Sequence, residues 1–174
     1  AYLVPQLGRE EALEADLLHL LSSWFNPGFL QLQRVDWNSP AQLLEQIIHH
    51  EAVHQIDGWD DLRRRLQPDR GCFAFFHPQL PDEPLIFVEV ALLAEMPAAI
   101  EPLININTEP LEPKTFHVGA FYSISNCELG LRGVGVGAVR VEARLVPGDG
   151  DRDDGVGRDG DALVDDVADD LAVG

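Results

Sequence analysis

The chain is poor in lysine and cysteine and contains no long apolar run. Its 174 residues carry 12 basic against 30 acidic side chains, a formal net charge of −18 at pH 7, and Lys114 is the only lysine. A nucleic-acid-binding protein needs a basic surface, which this composition argues against. No stretch approaches the roughly 20 apolar residues that a helix needs to cross a bilayer. Composition therefore predicts a protein that binds neither nucleic acid nor membrane.

The two cysteines, Cys72 and Cys127, each lie in or next to a predicted strand. Such a pair is typical of buried free thiols in a reducing compartment, because cytosolic proteins rarely keep disulfides. We therefore predict a cytoplasmic location. The chain is long enough for one domain with a substantial core, or for a domain followed by a tail.

Helices are predicted in the first part of the chain. Apolar residues at helical spacing predict an amphipathic helix over 10–25, which the Asn-Pro-Gly sequence at 26–28 ends. A second helix is expected to start at Ser39-Pro40, where Gln42 would complete a capping box, and to continue through Ile48, stopping by Gly58. A third is predicted over 59–66, and residues 29–37 read as a connector.

Strands are predicted in the second part. The apolar runs 72–76 and 85–92 favour two paired strands joined by a long proline-rich loop, and the second should be central because only Glu89 interrupts it. A helical turn or two is expected within 97–104, and 116–125 reads as the next strand. The predicted fold class is α/β, of mixed α+β type, with N-terminal helices followed by a mixed sheet.

A glycine-punctuated loop follows the sequence Phe-Tyr-Ser-Ile-Ser at 121–125. Glycines at 130, 133, 135 and 137 allow bare backbone to approach a ligand, and its N–H groups can cradle phosphate oxygens if a helix follows. The loop lacks the Gly-Lys-Ser/Thr ending of a Walker motif. Taken alone, a strand followed by such a loop is also compatible with an ordinary structural turn.

Several uncommon segments, in one order over roughly residues 17 to 134, resemble the catalytic domain of malonyl-CoA decarboxylase. They are Leu-Leu-His-Leu-Leu-Ser-Ser-Trp-Phe-Asn-Pro-Gly-Phe-Leu at 17–30, His-His-Glu-Ala-Val-His at 49–54, Trp-Asp-Asp-Leu-Arg-Arg-Arg-Leu at 59–66, Cys-Phe-Ala-Phe-Phe-His-Pro at 72–78 and Asp-Glu-Pro-Leu-Ile-Phe-Val-Glu-Val-Ala-Leu at 82–92. The resemblance implies an acyltransferase-like fold in which the glycine loop binds coenzyme A. The substrate-binding residues it implies here are Ser123, Arg132, Gly133, Val134, Gly135, Val136, Gly137 and Ala138.

The function implied by the resemblance is decarboxylation of malonyl-CoA to acetyl-CoA and carbon dioxide, with no metal and no biotin. The family's catalytic serine, in a Ser-Pro-x-Pro-Gly-type segment, and its catalytic histidine lie further along. No serine or histidine follows residue 134 here, so no catalytic residue is assigned and a catalytically incomplete fragment is expected. A non-catalytic acyl-CoA-binding module is the alternative. Family members carry an upstream helical domain, and this chain begins with Ala and an early helix, so its start is expected to be truncated. The resemblance also implies homo-oligomers.

We expect a domain over 1–134 and an acidic tail over 135–174. The 40 tail residues use eight residue types, and 32 of them are Asp, Gly, Val, Ala or Glu, whose codons all begin with G. This bias is typical of a GC-rich coding strand read out of frame, which suggests a frameshift near codon 134. The alternative is a genuine disordered tail, since high charge and few aromatic residues prevent core formation. Translation of the gene in its other frames distinguishes the two.

The segment 50–54 also matches the H-E-x-x-H pattern of zinc hydrolases. On a helix, His50 and His54 would share one face, and Glu51 could act as general base for a zinc-bound water. The alternative without a metal is that Glu51 and His54 cap or bridge between helices, with His49 solvated. The arginine run 63–65 predicts a solvated helix face, with a coenzyme A phosphate contact as the alternative.

Overall fold

A computed structural model describes residues 4–131 of the chain, and the predictions made for 132–174, including the loop Arg132–Ala138 and the tail, lie outside the described residues. The α+β class is confirmed. The α-helices are α1 (Val4–Trp24), α2 (Ala41–His50), α3 (Trp59–Arg65) and α4 (Glu101–Ile104), and the strands are β1 (Gln31–Val35), β2 (Arg70–His77), β3 (Leu80–Leu93) and β4 (Val118–Asn126). Short 3-10 turns occupy Pro27–Phe29, Pro113–Thr115 and Leu129–Leu131.

The four described strands form one sheet in the order β1-β2-β3-β4, and every pairing between them is antiparallel, whereas a mixed sheet was predicted. The predicted central position of β3 is confirmed, because it pairs with β2 on one side and β4 on the other. β1 was expected to be a connector. Only two of its five residues, Leu32 and Val35, are apolar, and they pack in different clusters. The strand forms because β1 pairs with β2 at the edge of the sheet. The hairpin between β2 and β3 is also tighter than predicted, since β3 already begins at Leu80.

Both faces of the sheet are covered. On β2, Phe73 and Phe75 pack in one apolar cluster, whereas Cys72, Ala74 and Phe76 pack in another. This alternation follows from the two-residue period of a strand. The second cluster includes Leu44 and Ile47 of α2 and Leu62 of α3, so these two helices cover that face, called here the helix face. Cys72 and Cys127 are buried free thiols on it, as predicted.

The helix α2 ends earlier than the sequence predicted. The backbone N–H of Glu51 still bonds to the carbonyl of Ile47, but Glu51 itself is extended. The chain then crosses to α3 without helix and passes Gly58 at a φ of 87°, a left-handed conformation that favours glycine. No capping box forms at the start of α2, because the Ser39 hydroxyl instead accepts a hydrogen bond from the N–H of Asp36. None of the helices within 4–131 combines the length and hydropathy of a membrane span.

Candidate functional site

The polar centre of the helix face starts from a bulge in β4. Glu89 of β3 pairs with Ser123, but the next residue, Val90, pairs with Phe121, so Tyr122 is an extra residue in β4. Tyr122 and Ser123 are both buried, as is Ser125, whereas Ile124 between the serines is 39% exposed. A bulge disrupts strict alternation and re-aims side chains. The bulge brings Tyr122, Ser123 and Ser125 to the covered side of β4.

The carboxylate of Glu51, just after α2, lies over these serines. The Ser123 hydroxyl oxygen is 2.8 Å from each Glu51 oxygen, and the Ser125 hydroxyl donates to Oε2 at 3.1 Å. The backbone N–H groups of Val53 and His54 each donate to Oε1 at 2.8 Å. Burying a carboxylate is costly unless it is hydrogen-bonded, and here four donors replace water. Glu51 thus joins the end of α2 to β4.

The non-helical segment after Glu51 is held from both sides. The Ser125 hydroxyl oxygen accepts a hydrogen bond from the N–H of Ala52 at 3.2 Å. From the other side, the Arg65 guanidinium of α3 donates to the carbonyls of His54 at 2.9 Å and Gln55 at 3.2 Å. We call residues 51–55 the clamped segment, because buried side chains bind three of its backbone N–H groups and two of its carbonyls.

Arg65 is also the cation of a buried ion cluster. Its guanidinium pairs with Asp61 at 3.0 Å and with Glu89 Oε2 at 2.9 Å, and the side chains of Arg65 and Glu89 are each only 1% exposed. Burial raises the pKa of Glu89 to about 7 in spite of Arg65. Although burial alone would lower the pKa of Arg65, Glu89 and Asp61 raise it, so Arg65 stays charged. Glu89 is therefore the titrating member of this cluster.

One oxygen of Glu89 and one neighbouring hydroxyl are buried without a partner in the described part of the chain. They are Glu89 Oε1 and the Tyr122 hydroxyl. Burial also raises the pKa of Tyr122 well above its usual range, so its phenol stays protonated. Unpaired buried polar atoms are costly, and these two are the ones that lie in the sheet among the five found in the described part of the chain.

The expectation of a solvated arginine face on α3 was wrong for two of its three members. Arg64 is buried and forms a bidentate pair with Asp69 at 2.8 and 3.0 Å, and Arg65 lies in the cluster described above. Only Arg63 is solvated, with its guanidinium 4.9 Å from the ring centre of Trp37. Their burial leaves Arg64 and Arg65 unsuited to contact a coenzyme A phosphate.

The zinc interpretation is also corrected. It needs His50 and His54 one helical turn apart, but α2 ends at His50, so the two imidazoles do not share a helix face. Glu51, the proposed general base, is instead surrounded by the donors from β4 and from its own segment. Within residues 4–131 no group of three or more His, Cys, Asp or Glu side chains is arranged to hold a metal ion. Glu51 links the end of α2 to strand β4 and not to another helix, whereas the backbone carbonyl of His54 accepts a hydrogen bond from Arg65 of α3.

An open pocket of about 620 Å³ lies between the end of α2 and the start of α3. Glu51 lines it, together with Glu45, His49, Gln55 and Trp59, whereas Ser123 does not. Two carboxylates at this opening disfavour the phosphates of coenzyme A. Ser123 is the only predicted substrate-binding residue within the described residues 4–131. It lies beneath Glu51 and does not line this pocket.

Three residues of the site were not assigned from sequence. The sequence suggested Glu51 as a zinc general base or a bridge between helices, Arg65 as part of a charged run, and Glu89 as an interruption in an apolar strand. The last was the clearest signal, because an isolated acid in a central strand requires a buried partner. Nothing in the sequence identified Arg65 as that partner.

We expect Glu51→Ala to lower the free energy of unfolding by about 3 kcal/mol or more. Several buried donors lose their acceptor, and each orphaned donor costs about 1–3 kcal/mol. Glu51→Gln retains one carbonyl oxygen and should cost less. Urea unfolding at pH 7 measures both, with Glu45→Ala on the exposed side of α2 as control. Equal destabilisation by Glu51→Ala and Glu45→Ala would contradict the anchoring role of Glu51.

Comparison with known proteins places this site within a family. A family model described as the malonyl-CoA decarboxylase C-terminal domain matches residues 28–145. The mitochondrial malonyl-CoA decarboxylase of Anser anser anser is 42% identical over 125 residues, which are 70% of this chain and 24% of that protein. The mitochondrial enzyme of Mus musculus is 39% identical over 128 residues, 72% of this chain and 26% of that protein. The chain thus spans about a quarter of the curated relatives it matches.

Solved structures of malonyl-CoA decarboxylases are also similar to this chain. The crystal structure of malonyl-CoA decarboxylase from Agrobacterium vitis is 54% identical with a TM-score of 0.68, and the match covers 71% of this chain and 31% of that one. The structure from Rhodopseudomonas palustris is also 54% identical with a TM-score of 0.68, covering 76% of this chain and 32% of that one. The matched family segment contains Glu51, Glu89 and Ser123. This chain belongs to the malonyl-CoA decarboxylase family.

Proposed function

We propose that the chain forms part of the substrate site of a malonyl-CoA decarboxylase, which converts malonyl-CoA to acetyl-CoA and carbon dioxide. The observation that carries this proposal is the extent of the family match. Residues 28–145 include Glu51, the bulged strand with Ser123 and the loop Arg132–Ala138. The relatives named malonyl-CoA decarboxylase thus resemble this chain over the residues that would receive the thioester and the coenzyme.

The chemistry requires an oriented thioester, because loss of carbon dioxide leaves an enolate whose oxygen must be stabilised. Ser123 is 3% exposed and donates its single hydroxyl hydrogen to Glu51. Toward substrate it can therefore only accept a hydrogen bond, for example from an amide N–H of the pantetheine arm. We assign it to orientation of that arm. The N–H groups of Arg132–Ala138 would bind the phosphates and the developing oxyanion.

A proton must then reach the α-carbon of the enolate. In the family this proton is attributed to a histidine beyond the matching region, and this sequence has no histidine after 134. We therefore expect no turnover by the chain alone and weak or no coenzyme A binding. Possible homo-oligomers and a cytoplasmic location also stay predictions, and the animal relatives are named mitochondrial.

A chimeric enzyme tests the proposal. The homologous segment of the Rhodopseudomonas palustris protein is replaced by residues 28–131 of this chain, and carbon dioxide release from malonyl-CoA is measured. We expect the chimera to decarboxylate malonyl-CoA, and Ser123→Ala within it to lower kcat/KM by about tenfold, since one oriented hydrogen bond is lost. A folded chimera without activity would remove the proposal.

The 174-residue chain itself serves as the second arm of that experiment. It should release no carbon dioxide above the blank, because it has no serine or histidine after residue 134 to match the family's catalytic serine and histidine. The absence of serine and histidine after residue 134 favours, as a second candidate, an acyl-CoA-binding module without turnover. Calorimetric binding of coenzyme A by the chain, without carbon dioxide release, would support that candidate instead.

A further inference from the structure

We infer that His54 is a further substrate-contacting residue, whose imidazole donates a hydrogen bond to the free carboxylate of the malonyl group. The inference rests on the proposed function and extends it, because it assigns the residue that distinguishes malonyl-CoA from acetyl-CoA. His54 belongs to the H-E-x-x-H segment, for which the structure removes the zinc interpretation. It lies in the clamped segment, between α2 and α3.

The backbone of His54 is held at both ends by buried charged side chains. Its N–H donates to Glu51 Oε1 at 2.8 Å, and its carbonyl accepts from Arg65 at 2.9 Å. Glu51 and Arg65 are themselves fixed, by the serines of β4 and by Asp61 and Glu89 respectively. Such support is what a precisely placed functional side chain requires, because it leaves few alternative backbone positions. Glu51 and Arg65 are accordingly positioning residues.

The ring of His54 lies at the bulge of β4. Its centre is 6.5 Å from that of the Tyr122 ring, with 33° between the planes. One atom, Glu51 Oε1, accepts hydrogen bonds from the backbone N–H of His54 and from the Ser123 hydroxyl, each at 2.8 Å. His54 is therefore a close neighbour of the serine assigned to the pantetheine arm. Its side chain is half-buried, so more of it is open to a ligand than of Ser123 or Ser125.

The ring N–H of His54 is available to a ligand, whereas the nearby Arg65 and Arg70 are paired with carboxylates. No hydrogen bond to either ring nitrogen of His54 is formed within the described part of the chain, and a neutral imidazole always carries one N–H donor. Arg65 is paired with Asp61 and Glu89, and Arg70 with Asp69. In a chain of net charge −18, a substrate carboxylate at β4 needs such a donor.

Two substitutions separate hydrogen bonding from packing. His54→Phe keeps a ring against Tyr122 and removes the donor, whereas His54→Gln keeps an N–H donor and removes the ring. In the chimera described above we expect His54→Phe to raise KM for malonyl-CoA and lower kcat/KM by about 10- to 100-fold, as expected when a hydrogen bond to a charged group is lost. His54→Gln should retain most of the activity, and thermal unfolding confirms that each variant folds.

A binding measurement on the folded chimera provides a readout besides activity, since the 174-residue chain alone is expected to bind coenzyme A weakly or not at all. The ring carbons of ¹³C-labelled histidine are followed by NMR, and the His54 signal is identified by its loss in His54→Gln. Millimolar malonyl-CoA should shift this signal more than acetyl-CoA does at the same concentration. Equal shifts with both ligands, or none with malonyl-CoA, would overturn the role of His54.

The two proposals fail in different ways. If the chimera is active and His54→Phe matches it in KM and kcat, the inference about His54 is wrong while the proposed function stands. If the parent chimera is folded but inactive, the proposed function fails first, and the NMR comparison then decides on His54 independently. A selective effect of malonyl-CoA on His54 supports the inference in either case.

Discussion

Arg65→Met is expected to destabilise the domain by about 3–5 kcal/mol, the usual cost of removing one partner from a buried ion cluster. The substitution leaves Asp61 and Glu89 without their cation and the carbonyls of His54 and Gln55 without their donor. Since domains of this size are stable by only about 5–15 kcal/mol, this loss is a large fraction of the total free energy of unfolding. Urea unfolding at pH 7, followed by circular dichroism, measures the loss.

Arg63→Met is the matched control on the same helix. The Arg63 side chain is 61% exposed and lies 4.0 Å from Asp60, so its loss should cost less than about 1 kcal/mol. If the orphaned carboxylate causes the loss at Arg65, then adding Glu89→Gln to Arg65→Met should recover part of the stability. Similar costs for the two single arginine substitutions would show that the buried cluster does not organise the domain.

The second large effect is a pH dependence that originates at Glu89. Its carboxyl has an ordinary pKa of 4.5, and burial raises the folded-state pKa to about 7. Between these two pH values the folded chain holds a proton that the unfolded chain has released, so raising the pH favours unfolding. The free energy of unfolding should therefore fall by about 3 kcal/mol as the pH rises from about 4.5 through 7, because of this one group.

Glu89→Gln removes the titrating group while retaining an acceptor for Arg65. The difference in unfolding free energy between pH 5 and pH 8 should be about 2–3 kcal/mol smaller in this variant than in the parent chain. Glu45→Gln is the control for an exposed acid, and should leave the pH profile unchanged. A Glu89→Gln profile parallel to that of the parent chain would show that Glu89 titrates in the folded state as it does in the unfolded one.

Local sequence patterns predicted the core elements where one pattern dominated. The leucine spacing before residue 25 and the apolar runs around Phe73 and Val88 each specify an element with little competition, and both strands and helix formed there. β1 was missed because five residues with only two apolar positions carry a weak signal, and pairing with β2 decides their conformation. The end of α2 was missed because no proline or glycine occurs there. The Ser125 and Ser123 hydroxyls hold Glu51 and Ala52 against β4 instead.

The sequence by itself determined the family, the α+β class and the central place of β3, because these follow from residue order and from periodicity along single elements. Only the tertiary structure decided which polar residues meet. The bulge at Tyr122 turns Ser123 toward Glu51, 72 positions earlier in the chain, and Arg65 meets Glu89 across 24. No local pattern encodes such contacts, since a buried charge can be satisfied by any partner that the fold brings within hydrogen-bond distance. The site around His54 is therefore a property of the packed sheet and helices, not of any one segment.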